Sequence, residues 1–74
     1  MIVKVTWEDA YFLQVIMPPE DAKKVEPYIV ESVGWLLSKD KKDIRIAFSQ
    51  INDGRVREIL VIPMSLVHHV KRLR

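Results

Sequence analysis

The sequence predicts a small, mainly β domain, and three features of its 74 residues carry that expectation. Short runs rich in β-branched residues alternate apolar with polar side chains, which is the period of a half-buried strand. Asn52-Asp53-Gly54 separates two such runs, and these residue types tolerate the positive φ of a tight hairpin turn. Pro18-Pro19, Pro27 and Pro63 mark where regular elements stop.

Residues 2–7, Ile-Val-Lys-Val-Thr-Trp, read as the first strand, with Val3, Val5 and Trp7 on one face and Lys4 and Thr6 on the other. Residues 8–27 read as a long, partly packed excursion. Glu8-Asp9-Ala10 opens a turn, a short strand is expected near 13–17, and Glu20 to Glu26 has room for one helical turn closed by Pro27. From Tyr28 to Ser38 both alternating sets are apolar: Ile29, Val33, Trp35 and Leu37 on one, Val30, Gly34 and Leu36 on the other. Such a strand is central in its sheet or is crossed by the excursion. Gly34 predicts a bend or bulge, and with its β-branched neighbours it argues against a helix over 28–38.

Lys39 to Asp43 is a charged turn. Ile44, Ile46 and Phe48 then alternate with Arg45, Ala47 and Ser49, and a return strand runs from Arg55 to Ile62. Its apolar set Val56, Leu60 and Ile62 is interrupted by Glu58. Pro63 ends that strand, because proline has no amide hydrogen to give to a ladder. Beyond it two readings compete. Leu66, Val70 and Leu73 stand at helical spacing behind a Ser65 cap; alternatively a tight turn over 63–66 precedes a short closing strand over 67–72.

Ile62-Pro63-Met64-Ser65-Leu66-Val67 resembles the Ile-Pro-x-x-x-Val element that ends many Src-homology-3-like barrels. In that family a strand stops at the proline, one helical turn follows, and a last strand closes the barrel. The resemblance implies an all-β fold for residues 1–74, a small five-stranded Src-homology-3-like barrel with a short helical turn before the last strand, and it selects the strand reading of 67–72. The peptide-binding branch of the family fits poorly. Trp7-Glu8-Asp9-Ala10-Tyr11-Phe12 is only superficially similar to its aromatic loop, Trp35 stands alone, and Leu66 stands where that branch has a tyrosine. Val5-Thr6-Trp7-Glu8-Asp9-Ala10, Val30-Glu31-Ser32-Val33-Gly34-Trp35-Leu36-Leu37, Ile62-Pro63 and Val70-Lys71-Arg72-Leu73 are similar to small uncharacterised phage and prophage proteins. That likeness implies a phage or mobile-element origin and transfers no activity.

The residues for chemistry are missing. No cysteine is present to form a disulfide or a thiolate metal site. The two glycines lie twenty residues apart, which excludes a glycine-rich phosphate loop, and Ser32, Ser38, Ser49 and Ser65 sit in no nucleophile motif. Within Glu8-Asp9 and Glu20-Asp21 the side chains diverge rather than converge. His68-His69 point to opposite faces of a strand, or about 100° apart on a helix, so they are poorly set to share an ion. Neither an enzyme nor a cofactor is expected. No apolar run approaches the roughly 20 residues of a membrane span, and Met1-Ile2-Val3-Lys4 opens no signal-peptide pattern. A cytoplasmic location without a membrane partner is the expectation.

Binding remains. Net charge is +2, but residues 1–40 carry four Lys against seven acids, whereas residues 41–74 carry eight Lys or Arg against three acids. Arg55, Arg57, Lys71, Arg72 and Arg74 form a candidate basic stripe, and Tyr11, Phe12 and Tyr28 are aromatics with a prospect of exposure. A small barrel with such a stripe and exposed aromatics on which bases stack is equipped for single-stranded nucleic acid; a solvated basic face is the plainer reading. Trp7, Trp35 and Phe48 are assigned to the core. The apolar residues of 28–38 and 56–62 exceed what one small core covers, which predicts a protein partner or a homo-oligomer unless the excursion folds over them. The expected function is therefore a non-catalytic interaction module that contacts protein, the alternative being a nucleic-acid-binding small barrel.

Overall fold

In a computed structural model, which describes residues 1–74, the chain forms strands β1 (Ile2–Asp9), β2 (Tyr28–Lys39), β3 (Asp43–Gln50), β4 (Val56–Pro63) and β5 (Val67–Arg72). A four-residue helical turn, α1 (Pro19–Ala22), lies between β1 and β2, and a single 3-10 turn (Met64–Leu66) precedes β5. All pairings are antiparallel and the strand order is β4-β3-β2-β1-β5.

Strand β2 organises the sheet. Its residues Tyr28 to Trp35 pair with β1, and its residues Trp35 to Lys39 pair with β3. One strand therefore serves two half-sheets, β5-β1-β2 and β2-β3-β4. Val3 and Val5 of the first half form one buried cluster with Ile44, Ile46 and Ile62 of the second. β1 and β3 are not neighbours in the sheet, so this cluster exists only because the sheet curls over itself. Gly34 sits at the handover, where a Cβ would stand 2.6 Å from the carbonyl oxygen of Ala47. No larger residue lets β2 and β3 approach this closely. Just beyond, the ladder register shifts between Leu36 and Ser38, a bulge that adds twist.

The alternation in β1 decides its faces. Val3 and Val5 are buried, while Lys4 points outward and pairs with Glu31 across β2 at 2.9 Å. Trp7 continues the inner set and donates its indole N–H to Ser32 Oγ at 3.0 Å, which satisfies a buried hydroxyl. The β2–β3 turn is held by Asp40, whose carboxylate accepts the backbone N–H groups of Lys42 (2.8 Å) and Asp43 (2.9 Å). The hairpin tip between β3 and β4 carries Gly54 at φ +93°. After Pro63 the Met64 N–H donates to the Lys42 carbonyl at 2.7 Å, fixing the 3-10 turn against the neighbouring turn.

Strand β5 settles the competition over the C-terminal segment in favour of a strand. Three other expectations are corrected. Residues 13–17 form no strand, because no neighbouring strand pairs with them. The sheet is not a closed barrel, since β4 pairs only with β3 and β5 only with β1, leaving two free edges. Phe48, assigned to the core by its alternation with Ile44 and Ile46, is exposed, where the ladder breaks on both sides of it: β2 pairs no further than Ala47, and Glu58 of β4 stands unpaired at φ 61°. With half-buried Trp35 it lines a pocket outside the buried cluster, which only Trp7 of the three aromatics joins.

Candidate functional site

Residues 10–27 leave the sheet between β1 and β2 as an arm. The whole molecule measures 53 × 22 × 20 Å with a radius of gyration of 15.7 Å, against roughly 11 Å for a compact chain of this length. The arm does not fold over the sheet, contrary to the packed excursion expected from sequence; residues 10–27 are exposed apart from half-buried Tyr11 and Met17. At its base the rings of Tyr11 and Tyr28 stack with centroids 4.0 Å apart. Beside them lies a cavity of about 240 Å³ lined by Ala10, Tyr11, Leu13, Val25, Glu26 and Pro27.

The local sequence explains why the arm stays open. Pro18 and Pro19 have no N–H groups, so a strand cannot run through them, and Pro19 instead opens α1. The Pro18 carbonyl accepts from Asp21 and Ala22, which closes the tip. Between Ala10 and Met17 no residue makes a backbone–backbone hydrogen bond. Yet this run, Ala-Tyr-Phe-Leu-Gln-Val-Ile-Met, is almost wholly apolar. Phe12 is 87% exposed and Ile16 completely so.

A second unpartnered feature is the free edge of β4. Ile59-Leu60-Val61-Ile62 are four apolar residues in succession, with Ile59 46% and Val61 48% exposed. The other free edge, β5, carries Lys71 and Arg72, the charges by which exposed edges are usually blunted. The apolar stretch of β4 has no such charge.

The sequence-predicted basic and aromatic candidates fall in three places. Arg55 and Arg57 belong to the β3–β4 hairpin, where Arg55 Nε meets Asp53 at 2.8 Å and Arg57 Nε lies 3.8 Å from Glu58. Lys71 and Arg72 lie on β5 opposite Lys4 and Val3, with Arg74 just beyond. These two groups occupy opposite edge strands in the order β4-β3-β2-β1-β5. Tyr11 and Tyr28 stack on each other at the arm base, level with Asp9. That end of β1 is about 20 Å from Val3 and Arg72 at the rise of a strand. Of the two histidines, His68 faces Glu8 at 2.8 Å and His69 pairs with Thr6 across the strands. No group of three or more His, Cys, Asp or Glu side chains gathers in the fold.

Sequence reasoning anticipated exposure of Phe12 and surplus apolar surface over 56–62, but not the exposure of Val15 and Ile16. The signal available was an apolar run without period, bounded by Pro18-Pro19, which fits no paired element of its own chain. Two carboxyl groups are displaced from their ordinary range. Lys4, by its hydrogen bond and its charge, lowers Glu31, and the two backbone amides lower Asp40. Both stabilise surface geometry and neither lies on the arm. No helix is long and apolar enough to cross a membrane. No protein-family model, curated protein or solved structure matches the chain.

Proposed function

We propose that the chain is a non-catalytic interaction module whose contact surface is the arm between β1 and β2, and that its partner is a polypeptide. The observation that carries this reading is the run Phe12–Ile16, mostly apolar, exposed and without backbone hydrogen bonds beside a well-paired sheet. Exposed apolar surface of this kind marks contact sites, and free N–H and C=O groups give a second polypeptide a backbone to pair with. The reading keeps the module Src-homology-3-like, supported by the β4-β3-β2-β1-β5 order and the 3-10 turn after Ile62-Pro63. Its phage or prophage derivation rests on the sequence resemblance alone.

A photo-crosslinking residue at position 12 or 16 of the full chain, irradiated in cells, tests it. The expected product is an adduct with a polypeptide. A nuclease-sensitive adduct would favour the nucleic-acid reading, and the absence of any macromolecular adduct would remove the arm from the function.

A further inference from the structure

We infer that the arm and the free edge of β4 are halves of one interface, so that the arm of one copy of this chain lies along β4 of a second copy. The inference rests on the arm being a contact segment and goes on to say what it contacts. Each feature lacks what the other supplies. The arm has eight residues, Ala10–Met17, with unused backbone donors and acceptors, and β4 has eight residues, Val56–Pro63, paired on one side only. Both carry mainly apolar side chains in the middle: Leu13, Val15 and Ile16 around Gln14 on the arm, Ile59-Leu60-Val61-Ile62 on the edge. An added strand gains its affinity from the ladder and its specificity from alternate side chains.

Charge fixes the direction. With the arm antiparallel to β4 and residues 13–16 opposite 59–62, Glu20 and Asp21 reach the end of the edge that carries Arg55 and Arg57. A parallel arrangement leaves those acids at Pro63 and forfeits the complementarity. Arg55 and Arg57 are mostly exposed and held only by neighbouring surface acids, so both are free to exchange partners. The basic edge of β5 offers the arm no matching apolar stretch. Because arm and edge are different patches, two copies either exchange arms reciprocally about a two-fold axis or pass them head to tail, which makes a ring where the rotation closes and an open filament where it does not.

The test is light scattering with sedimentation on the full chain and on single variants. Wild type is expected to be oligomeric at about 100 µM and to dissociate on dilution, as mass action requires. Ile16→Asp on the arm and Ile59→Lys on the edge should each weaken association by about tenfold or more. Ile16 touches no core, and Val61→Lys serves as the second edge variant if Ile59→Lys misfolds by circular dichroism. Mixing the arm variant with the edge variant should restore a heterodimer, because one intact arm then meets one intact edge. Glu20→Arg with Asp21→Arg should weaken association, and Arg55→Glu with Arg57→Glu in the same chain should restore it. A monomeric wild type would overturn the self-pairing while leaving the arm as a docking segment for another polypeptide. Two variants that stay oligomeric, or two monomeric variants that do not complement each other, would also overturn it.

Discussion

The hairpin formed by β3 and β4 and the arm of residues 10–27 are both rich in apolar side chains, but Ile44, Ile46 and Ile62 are fully buried while Ile16 is fully exposed. Hydrophobicity does not separate them. What separates them is the backbone. In the hairpin, Asn52-Asp53-Gly54 sets a turn and the ladder from Asp43↔Pro63 to Gln50↔Val56 fixes which side chains face inward. In the arm, Pro18-Pro19 deny the chain a return strand, so its apolar residues have no fixed face and no layer to enter. Pairing gives a side chain a fixed face but does not by itself bury it, since Ile59 and Val61 lie in the ladder and stay exposed.

The sharpest way to break the comparison is inside the hairpin. Ile46→Ala should cost about 2–5 kcal/mol, the range for truncating a buried isoleucine. That is a large fraction of the roughly 4–11 kcal/mol expected for a domain this size. Urea unfolding checks it, and a loss below about 1 kcal/mol would mean that Ile46 is not at the centre of the core. Next comes Gly34→Ala, which sets a methyl against the Ala47 carbonyl. A loss of about 1–3 kcal/mol is expected from overpacking, seen as a lower melting temperature.

On the arm the same measurements should barely move. Measured at a dilution where the chain is dissociated, Ile16→Asp is expected to change unfolding free energy by no more than about 0.5 kcal/mol, as for an exposed site without partners in its own chain. A larger loss would show that the arm belongs to the folded unit. The smallest effect is electrostatic. Asp40 has a folded-state pKa below its ordinary value, so its contribution is present at neutral pH and disappears as pH falls through that lowered value. In Asp40→Asn, stability should therefore respond less to acidification below the usual carboxylate range than in wild type. Identical acid profiles would show that the two amide hydrogen bonds do not hold the turn.

The paired part of the fold was legible in the residues themselves. Val3-Lys4-Val5 states its period, Asn52-Asp53-Gly54 states its turn, and Ile62-Pro63 states where β4 stops. The arm was not legible, because a strand is a relation between two segments and residues 13–17 have no second segment within the chain. Phe48 is the counterpart within the sheet: its period continues that of Ile44 and Ile46, while the ladder beside it lapses, with β2 pairing only to Ala47 and Glu58 of β4 at φ 61°. Composition disclosed the basic excess after residue 40 but not its location. Strand order alone sends Arg55 and Arg57 to one edge and Lys71 and Arg72 to the other.

The double membership of β2 bears on how the molecule melts. A strand laced into both layers leaves no seam along which one layer peels away intact, since losing either strips β2 and uncovers the same five side chains. Amides of β1 and β3 should thus open together, as a single cooperative block, while those of Tyr11 to Met17, which donate to no backbone carbonyl, exchange freely outside it.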